Sequence, residues 1–318
     1  MTCYAAFGGV LESAHPMTIF RPAAAGSPEW TLRVADREPP DLEGELLGED
    51  QVQAGVRVRL YRGVHGYSLS YDDTGRFDVS GDGSQITWYA VPGAPPESVE
   101  LDIAGRVLAT AMYATGDLCL HGSGVVLGSD GVGFLAPKLH GKSTLAQSLV
   151  AAGARLATDD VLPVQGGDPA MMRPGVHRIR LWSDSAQRLV PERVGSEATQ
   201  AKHSLDHLEE SQLLSEPIAL RAVYLLVPMK PGEHVKAVER VRVPAREAVV
   251  SVLANATLGP LLGRSEAPRL FHLVYGIAER VPVYALRYVR DFARLDEVVQ
   301  GIMSWHGAGV VSPGERPR

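Results

Sequence analysis

Cysteine is nearly absent from this sequence of 318 residues, in which Cys3 and Cys119 are the only two. Two cysteines cannot build a disulfide framework, and their spacing excludes a zinc site made of paired CxxC motifs. A reducing compartment fits this composition. The first 17 residues have no basic region followed by a long apolar run, and no run of 18 apolar residues occurs anywhere. We therefore expect a cytoplasmic protein with no membrane partner.

Positive charge is also in short supply, because the formal net charge is -6 at pH 7. A protein that binds nucleic acid non-specifically neutralises phosphates with a surplus of Lys and Arg, so no nucleic-acid partner is expected. Lysine is rare beside arginine, and Lys138 and Lys142 nevertheless lie in one short loop. The hydrophobic content of 45% and the charged content of 21% are those of an ordinary folded protein.

The composition predicts two domains of different class. From Tyr4 to Ala90, short alternating runs broken by Gly- and Asp-rich turns indicate an antiparallel β region, and a helix is predicted from Glu97 to Thr115. Beyond this helix, strands alternate with helices, which is typical of an α/β domain. The predicted domains are a β-rich domain at 1–116, an α/β domain at 117–306 and a flexible tail at 307–318.

The elements of the second domain follow from apolar runs and from helical spacing of apolar residues. Strands are predicted at 119–127, 132–135, 155–158, 222–227 and in the segment VPVYALRY, and helices at 142–152, 244–254, 268–278 and 295–305.

A phosphate-binding loop is predicted where an apolar strand meets an Ala- and Leu-rich helix. The pattern GxxxxGK[ST] is matched except at its first glycine, where Ala136 stands and where a left-handed backbone would be strained. Backbone N–H groups and the helix N-terminus would face phosphates, Lys142 would reach the β and γ oxygens, and Ser143 would hold Mg²⁺. The alternative is a helix start that binds no ligand. The candidate nucleotide-binding residues are Ala136, Pro137, Lys138, Leu139, His140, Gly141, Lys142, Ser143 and Thr144.

Two adjacent acids, Asp159 and Asp160, follow the strand after the loop helix. Because the carboxyl ends of neighbouring parallel strands share one edge of a sheet, we expect both acids beside the phosphate loop. Side chains alternate along a strand, so one acid can hold Mg²⁺ while the other accepts the proton of an attacking hydroxyl. The alternative is that the pair only ends the strand and opens a turn.

His121 completes a recognisable combination, because it stands in the strand LHGSGVVL just before the GKST loop and the TDD segment. This combination resembles the catalytic domain of HPr kinase/phosphorylase and its HPr-kinase-like relatives, including kinases encoded with ribosomal-peptide clusters such as those for lasso peptides. The resemblance is strongest over residues 118–165. It implies a P-loop kinase domain of the HPr-kinase/PEP-carboxykinase type, preceded by a mostly antiparallel β domain.

The resemblance also implies a role for each site residue. Lys142 matches the phosphate-binding lysine, Asp159 the general base and His121 the histidine beside that base, while Ser143 and Asp160 match the residues at the magnesium ion. The glutamate-bearing signature of the bifunctional HPr enzymes has no match in 175–181. Neither phosphorolysis nor HPr as the substrate is therefore predicted.

We predict an ATP-dependent kinase, or one using another nucleoside triphosphate with Mg²⁺, that transfers the γ-phosphoryl group to a hydroxyl. A serine of a peptide or small protein is the first choice of acceptor, and a ribosomal-peptide precursor is one such substrate. A small-molecule kinase and a non-catalytic nucleotide sensor remain alternatives. Because the HPr enzymes form hexamers, the resemblance also implies that this protein can form a homo-oligomer.

Overall fold

The computed structural model describes residues 1–53, 55–190, 202–205, 208–229 and 238–308, with the backbone alone for residues 53 and 202–205. It is a mixed α/β structure with two large sheets and several helices. Most of the predicted tail lies outside the described residues. Across the described helices, none is long and apolar enough for a membrane span.

Nineteen strands are described. They are β1 (Thr2–Ala6), β2 (Gly9–Ser13), β3 (Arg21–Pro22), β4 (Trp30–Val34), β5 (Glu45–Gln53), β6 (Val56–Gly63), β7 (Gly66–Tyr71), β8 (Gly75–Ser80), β9 (Gln85–Ala90), β10 (Leu118–Leu127), β11 (Asp130–Leu135), β12 (Arg155–Thr158), β13 (Val161–Gln165), β14 (Met171–Met172), β15 (Ile179–Trp182), β16 (Lys202–Leu205), β17 (Ile218–Met229), β18 (Val238–Arg242) and β19 (Val283–Val289).

Seven α-helices are described, together with a π-helical turn at Ile103–Val107 and short 3₁₀ turns at Glu210–Gln212 and Phe292–Arg294. The α-helices are α1 (Pro96–Asp102), α2 (Leu108–Thr115), α3 (Lys142–Ala151), α4 (Ser183–Leu189), α5 (Ala245–Ala254), α6 (Ala267–Arg280) and α7 (Leu295–Trp305).

The chain forms two compact units. The first contains Met1–Cys119 together with Ala256–Gly276, and the second contains Leu120–Asn255 together with Ile277–Arg318. The segment Ala256–Gly276, which the sequence analysis placed in the second domain, therefore clusters with the first.

The first unit is built on a nine-stranded sheet in the order β3-β1-β2-β4-β9-β8-β7-β6-β5. Its strands alternate between buried and half-buried side chains, as in β7, where Tyr67, Leu69 and Tyr71 are buried. Most neighbours pair antiparallel, but β4 runs parallel to both β2 and β9. The helix predicted as one piece contains a π-helical turn between α1 and α2, and it ends at Gly116, where φ is 104°.

A buried carboxylate ties the returning segment Ala256–Gly276 into the first unit. Glu266 is 3% exposed. It accepts hydrogen bonds from the Arg62 guanidinium at 2.7 Å, the Tyr113 hydroxyl at 2.8 Å and the Tyr67 hydroxyl at 3.3 Å. Three donors offset the cost of burying the charge, so this segment completes the first unit electrostatically as well as by packing.

The second unit is built on an eight-stranded sheet in which β11, β17 and β19 are parallel. Strand β10 pairs antiparallel with both β11 and β12. The prediction that the strands flanking the loop helix are parallel neighbours is therefore wrong, because β10 lies between them. Since β10 opposes both, β11 and β12 still point the same way, and their carboxyl ends meet the start of β10 at one edge of the sheet.

Two helices pack on this sheet and hold that edge in place. The core of the second unit contains Phe134 of β11 and Tyr224 of β17, with Leu149 of α3 and Ile302 of α7 packed against them. All four side chains are fully buried. The first turn of α3 is thereby fixed at the edge where β11 ends.

Candidate active site

The loop at 136–141 joins the end of β11 to the start of α3, in the order strand, loop and helix that the sequence motif predicts. Its last residue, Gly141, has a φ of 84° and caps α3, which begins at Lys142. The strain expected at Ala136 is absent, because the non-glycine residue with a left-handed backbone in this loop is Leu139, with a φ of 69°. Ala136 is instead buried at 3% exposure as the continuation of β11. An alanine is therefore compatible with this backbone at the first position of the motif.

A tyrosine from β19 fixes the far side of the loop. The hydroxyl of Tyr288 donates a hydrogen bond of 2.6 Å to the carbonyl oxygen of His140. A Cβ added at Gly141 would lie 3.4 Å from the same hydroxyl oxygen. Tyr288 thus positions the turn from which the helix starts.

Lys142 is buried and turned into the loop. Its ammonium donates to the carbonyl oxygen of Ala136 at 2.8 Å and to that of Pro137 at 3.4 Å. It also lies 3.3 Å from the Nε2 atom of His121. The positive charge is therefore held at the start of the loop, beside the histidine that the sequence singled out.

His121 joins this ammonium to Asp160. Its Nδ1 atom lies 3.2 Å from the carbonyl oxygen of Asp160 and 3.4 Å from the Oδ1 atom of the same residue. Because an ammonium has only protons to donate, Nε2 accepts from Lys142, and we assign the imidazole proton to Nδ1. Burial and the charge of Lys142 lower the pKa of His121, against the opposing effect of Asp160. A neutral imidazole with that tautomer fits both neighbours.

Asp159 is the buried member of the acid pair. Its Oδ1 atom accepts hydrogen bonds from the hydroxyls of Ser123 at 2.6 Å and Ser143 at 3.0 Å, and its Oδ2 atom accepts from the backbone N–H of Arg180 at 3.1 Å. Burial and the adjacent charge of Asp160 raise the pKa of Asp159, and the three hydrogen bonds oppose that rise. The hydroxyl of Ser143, which the sequence analysis places at the metal together with Asp160, thus contacts Asp159 instead.

Asp160 faces the other way. Its side chain is 48% exposed, and its backbone has a φ of 75°. The strand β12 ends at Thr158, so the left-handed residue turns the chain away and separates the two carboxylates. One acid points to the loop helix and the other to His121.

The structure brings five predicted residues together in two contact chains, Ser143–Asp159 and Lys142–His121–Asp160, which are linked because 142/143 and 159/160 are neighbours in sequence. The side chains of Lys138 and Leu139 are exposed on the loop and outside this group. Thr144 faces α4, where its hydroxyl donates to Ser185 at 3.1 Å.

Three contributing residues were not predicted. Ser123 stands two positions after His121 on β10, so strand alternation could have placed the two side chains on one face. Tyr288 and Ser185 come from distant segments, and no local pattern marks them.

A magnesium ion suits the donor set at the loop helix. Its donors are two hard oxygen ligands, the hydroxyl of Ser143 and the carboxylate of Asp159. A metal site made only of protein side chains is a different case, and no group of three His, Cys, Asp or Glu side chains that could hold a metal occurs among the described residues. Mg²⁺ commonly takes one or two protein ligands of this kind and completes its shell with phosphate oxygens and water.

Comparisons with known proteins do not assign a family. No protein-family model matches the chain, and no curated protein is similar to it in sequence. One solved structure that it matches is the HPr(Ser) kinase/phosphatase from Coxiella burnetii, at 13% sequence identity and a TM-score of 0.31, over 59% of this chain and 89% of that one. The relationship to kinases of lasso-peptide clusters stays a prediction.

Proposed function

We propose that the chain is a nucleotide-dependent phosphotransferase whose reaction centre is the group formed by His121, Lys142, Ser143, Asp159 and Asp160. The observation that carries the proposal is the hydrogen bond between Ser143 and Asp159 at the start of the loop helix. Beside it, Lys142, His121 and Asp160 form a second contact chain. A phosphate-binding loop that served binding alone would not need the second acid.

The two contact chains suit different parts of phosphoryl transfer. In P-loop enzymes the metal is held by the loop hydroxyl and by a buried acid, which corresponds here to Ser143 and Asp159. Mg²⁺ bound there would neutralise charge on the β- and γ-phosphate oxygens. The remaining stabilisation comes from the loop N–H groups and the ammonium of Lys142, which exchanges its carbonyl partners for phosphate oxygens.

Asp160 is the better-placed general base. Its carboxylate is exposed and can be reached by an acceptor. Asp159 is buried instead, and both of its carboxylate oxygens already accept hydrogen bonds from groups of the protein. The acceptor oxygen bonds to the γ-phosphorus, its proton passes to Asp160, and the bond between the γ-phosphorus and the bridging oxygen breaks to release the diphosphate. His121 orients Asp160 through Nδ1–H. This assignment exchanges the roles that the family resemblance implies for the two acids.

The acceptor is proposed to be a serine hydroxyl of a peptide or small protein, with ATP as donor. The side chain of Asp160 is 48% exposed, so its carboxylate is accessible to a serine side chain of another protein. A small-molecule hydroxyl would be accepted by the same chemistry. Assays with peptide libraries and with small polyols therefore decide whether the protein is a peptide kinase or a small-molecule kinase.

The first experiment is calorimetric titration with Mg-ATP. Lys142→Ala should weaken binding at least tenfold, while Lys138→Ala, which removes an exposed lysine from the same loop, should bind like the wild type. No binding at millimolar Mg-ATP would overturn the proposal. If the protein binds Mg-ATP but shows neither phosphoryl transfer nor slow ATP hydrolysis, the nucleotide sensor is supported instead.

The second experiment separates the two acids. Asp160→Asn cannot take up a proton, so transfer should fall by roughly 10²–10⁴-fold while Mg-ATP affinity stays within about threefold of the wild type. Asp159→Asn should weaken Mg-ATP binding, and excess Mg²⁺ should partly restore it. The opposite pattern would return the general base to Asp159, and wild-type turnover in both variants would refute the catalytic assignment of the pair.

A further inference from the structure

A cavity adjoins the phosphate loop at Gly141 and Thr144. This cavity of about 160 Å³ lies in the second unit between Gly141 and Thr144 of the loop helix and the connection from β19 to α7. A cavity of about 150 Å³ is known to admit a benzene ring, so this one has room for a flat ring system.

The cavity has one wall held rigidly and one exposed aromatic ring. Tyr288 forms the rigid wall, because its hydroxyl is bonded to the loop at His140. Phe292 lies opposite the loop in a 3₁₀ turn, whose N-cap Asp291 accepts a hydrogen bond from the N–H of Ala293 at 2.9 Å. Phe292 is nevertheless 39% exposed. A fixed backbone carrying an exposed ring is a suitable platform for stacking.

The polar residues of the cavity lie at its rim. Arg290 is exposed directly after β19, and the carboxylate of Asp291 follows it. Thr144, Asp184 and Ser185 form the polar side near the helix start. Apolar walls with a few polar groups at the mouth are typical of sites for small molecules.

The position of the cavity relative to the reacting groups indicates which end of a ligand would enter it. In a phosphate-binding loop the lysine reaches the β- and γ-phosphates, and the backbone of the loop and helix start holds the α- and β-phosphates. Lys142 points towards His121, whereas the cavity opens at Gly141 and Thr144. A triphosphate with its γ end at His121 and Asp160 would therefore direct its other end to the cavity.

We propose that this cavity binds the nucleoside end of the nucleoside triphosphate, with the base stacked on Phe292 and the ribose between Thr144 and Asp291. The inference rests on the proposed function, since it assumes that phosphates occupy the loop. It adds that Phe292 determines the preference of the protein for a nucleotide over a bare polyphosphate.

The test compares Mg-ATP with Mg-tripolyphosphate, which has the phosphates but no nucleoside, in the full-length protein. The wild type should bind Mg-ATP at least tenfold more tightly. Phe292→Ala should lose roughly 5- to 100-fold in ATP affinity, the range for one stacked base, with an unchanged affinity for tripolyphosphate. Phe292→Trp should retain ATP affinity. Phe271→Ala, which removes an exposed phenylalanine from α6, should match the wild type with both ligands.

Failure of the nucleoside site and failure of the phosphate loop give different results. Equal affinity of the wild type for both ligands, or ATP affinity in Phe292→Ala equal to that of Phe271→Ala, would overturn the nucleoside site and leave the phosphate loop intact. Binding of neither ligand would overturn the proposed function and the nucleoside site together. Unchanged tripolyphosphate binding serves as the control that Phe292→Ala remains folded.

Discussion

The carboxylates of this protein differ widely in environment, and Asp102, in the first unit, is one outside the proposed reaction centre. It is 8% exposed, and it accepts a hydrogen bond of 2.7 Å from the hydroxyl of Thr74. Burial raises its pKa from 3.8 to about 7, with a smaller opposing effect of the Thr74 hydrogen bond. The folded state therefore keeps a proton that the unfolded chain releases between about pH 4 and pH 7.

This difference predicts a pH dependence of stability. Because the folded state keeps the Asp102 proton in that window, the contribution of Asp102 to the free energy of unfolding should fall as pH rises from 4 to 7 and level off above pH 7. Asp102→Asn should remove this loss and be more stable than the wild type by roughly 2–4 kcal/mol at pH 8, with little difference at pH 4. Denaturant unfolding at both pH values measures it, with the exposed Asp41→Asn as control. An Asp102→Asn variant whose stability changes with pH as steeply as that of the wild type would contradict the expectation.

Residue types in the candidate site could be predicted from the sequence, but not the division of labour between the two acids. The strand–loop–helix order and the spacing to Asp159 and Asp160 place all five residues at one sheet edge. Which acid is buried depends on where β12 ends and on the left-handed turn at Asp160. That turn is set by tertiary contacts, and neither aspartate carries a local signal for it.

At the scale of elements, the loop before α3 depends on the backbone freedom of one glycine. Gly141 has a φ of 84°, a region in which a side chain is strained by roughly 1–2 kcal/mol. An added methyl group would lie 3.4 Å from the hydroxyl of Tyr288, which is an ordinary van der Waals contact. The expected cost at this position therefore comes from the backbone conformation.

Gly141→Ala should lower the free energy of unfolding by roughly 1–2 kcal/mol and weaken Mg-ATP binding severalfold, because the loop N–H groups shift. Leu139→Gly is the matched change in the opposite sense, since it removes a side chain from a φ of 69°. It should be neutral to slightly stabilising, because the relieved strain is offset by the backbone entropy of glycine. Thermal unfolding and calorimetry measure both variants. Equal nucleotide affinity in Gly141→Ala and the wild type would show that the loop does not depend on this backbone.

The positions of helices and strands were easier to predict from the sequence than the pairing of the strands in the sheet. Helical spacing gives α7 with the bounds found in the structure, and the apolar run gives β17 although it is longer than predicted. The hairpin of β10 and β11 has a local signal in the short turn at 128–129 between the two strands. The pairing of β12 with the other side of β10 has none, because an antiparallel and a parallel neighbour use the same kind of apolar strand.

At the scale of the whole molecule, the composition change near residue 116 marks the place where the chain first leaves the first unit, and nothing in the composition marks its return. Residues 256–276 read as ordinary loop and helix. They belong to the first unit because Glu266 meets Arg62, Tyr67 and Tyr113, which are contacts about 150 to 200 positions away in sequence. Long-range electrostatic pairing of this kind leaves no periodic pattern.

A matched pair of shortened chains tests this completion. Residues 1–119 alone should fail to unfold cooperatively, because Tyr67, Tyr113 and Arg62 lose their buried acceptor. The same residues joined through a short Gly/Ser linker to 256–276 should fold, since the N–H of Thr257 already donates to the carbonyl of Cys119 at 2.9 Å. Circular dichroism and tryptophan fluorescence during thermal unfolding compare them. Glu266→Ala in the linked chain should cost about 3 kcal/mol, and identical behaviour of all three chains would refute the role of this segment.

The return of the chain to its first unit also has a consequence in time. During synthesis, the sheet of the first unit emerges early, but Glu266 follows Cys119 by about 150 residues. At about 5–20 residues per second, the buried hydroxyls of Tyr67 and Tyr113 wait roughly 7 to 30 s for their acceptor. Throughout that interval the nascent first unit remains incomplete while most of the second is being made. A ribosome pause or a premature stop within 120–255 would prolong or fix that state, so this stretch is where translation speed bears most directly on the yield of folded protein.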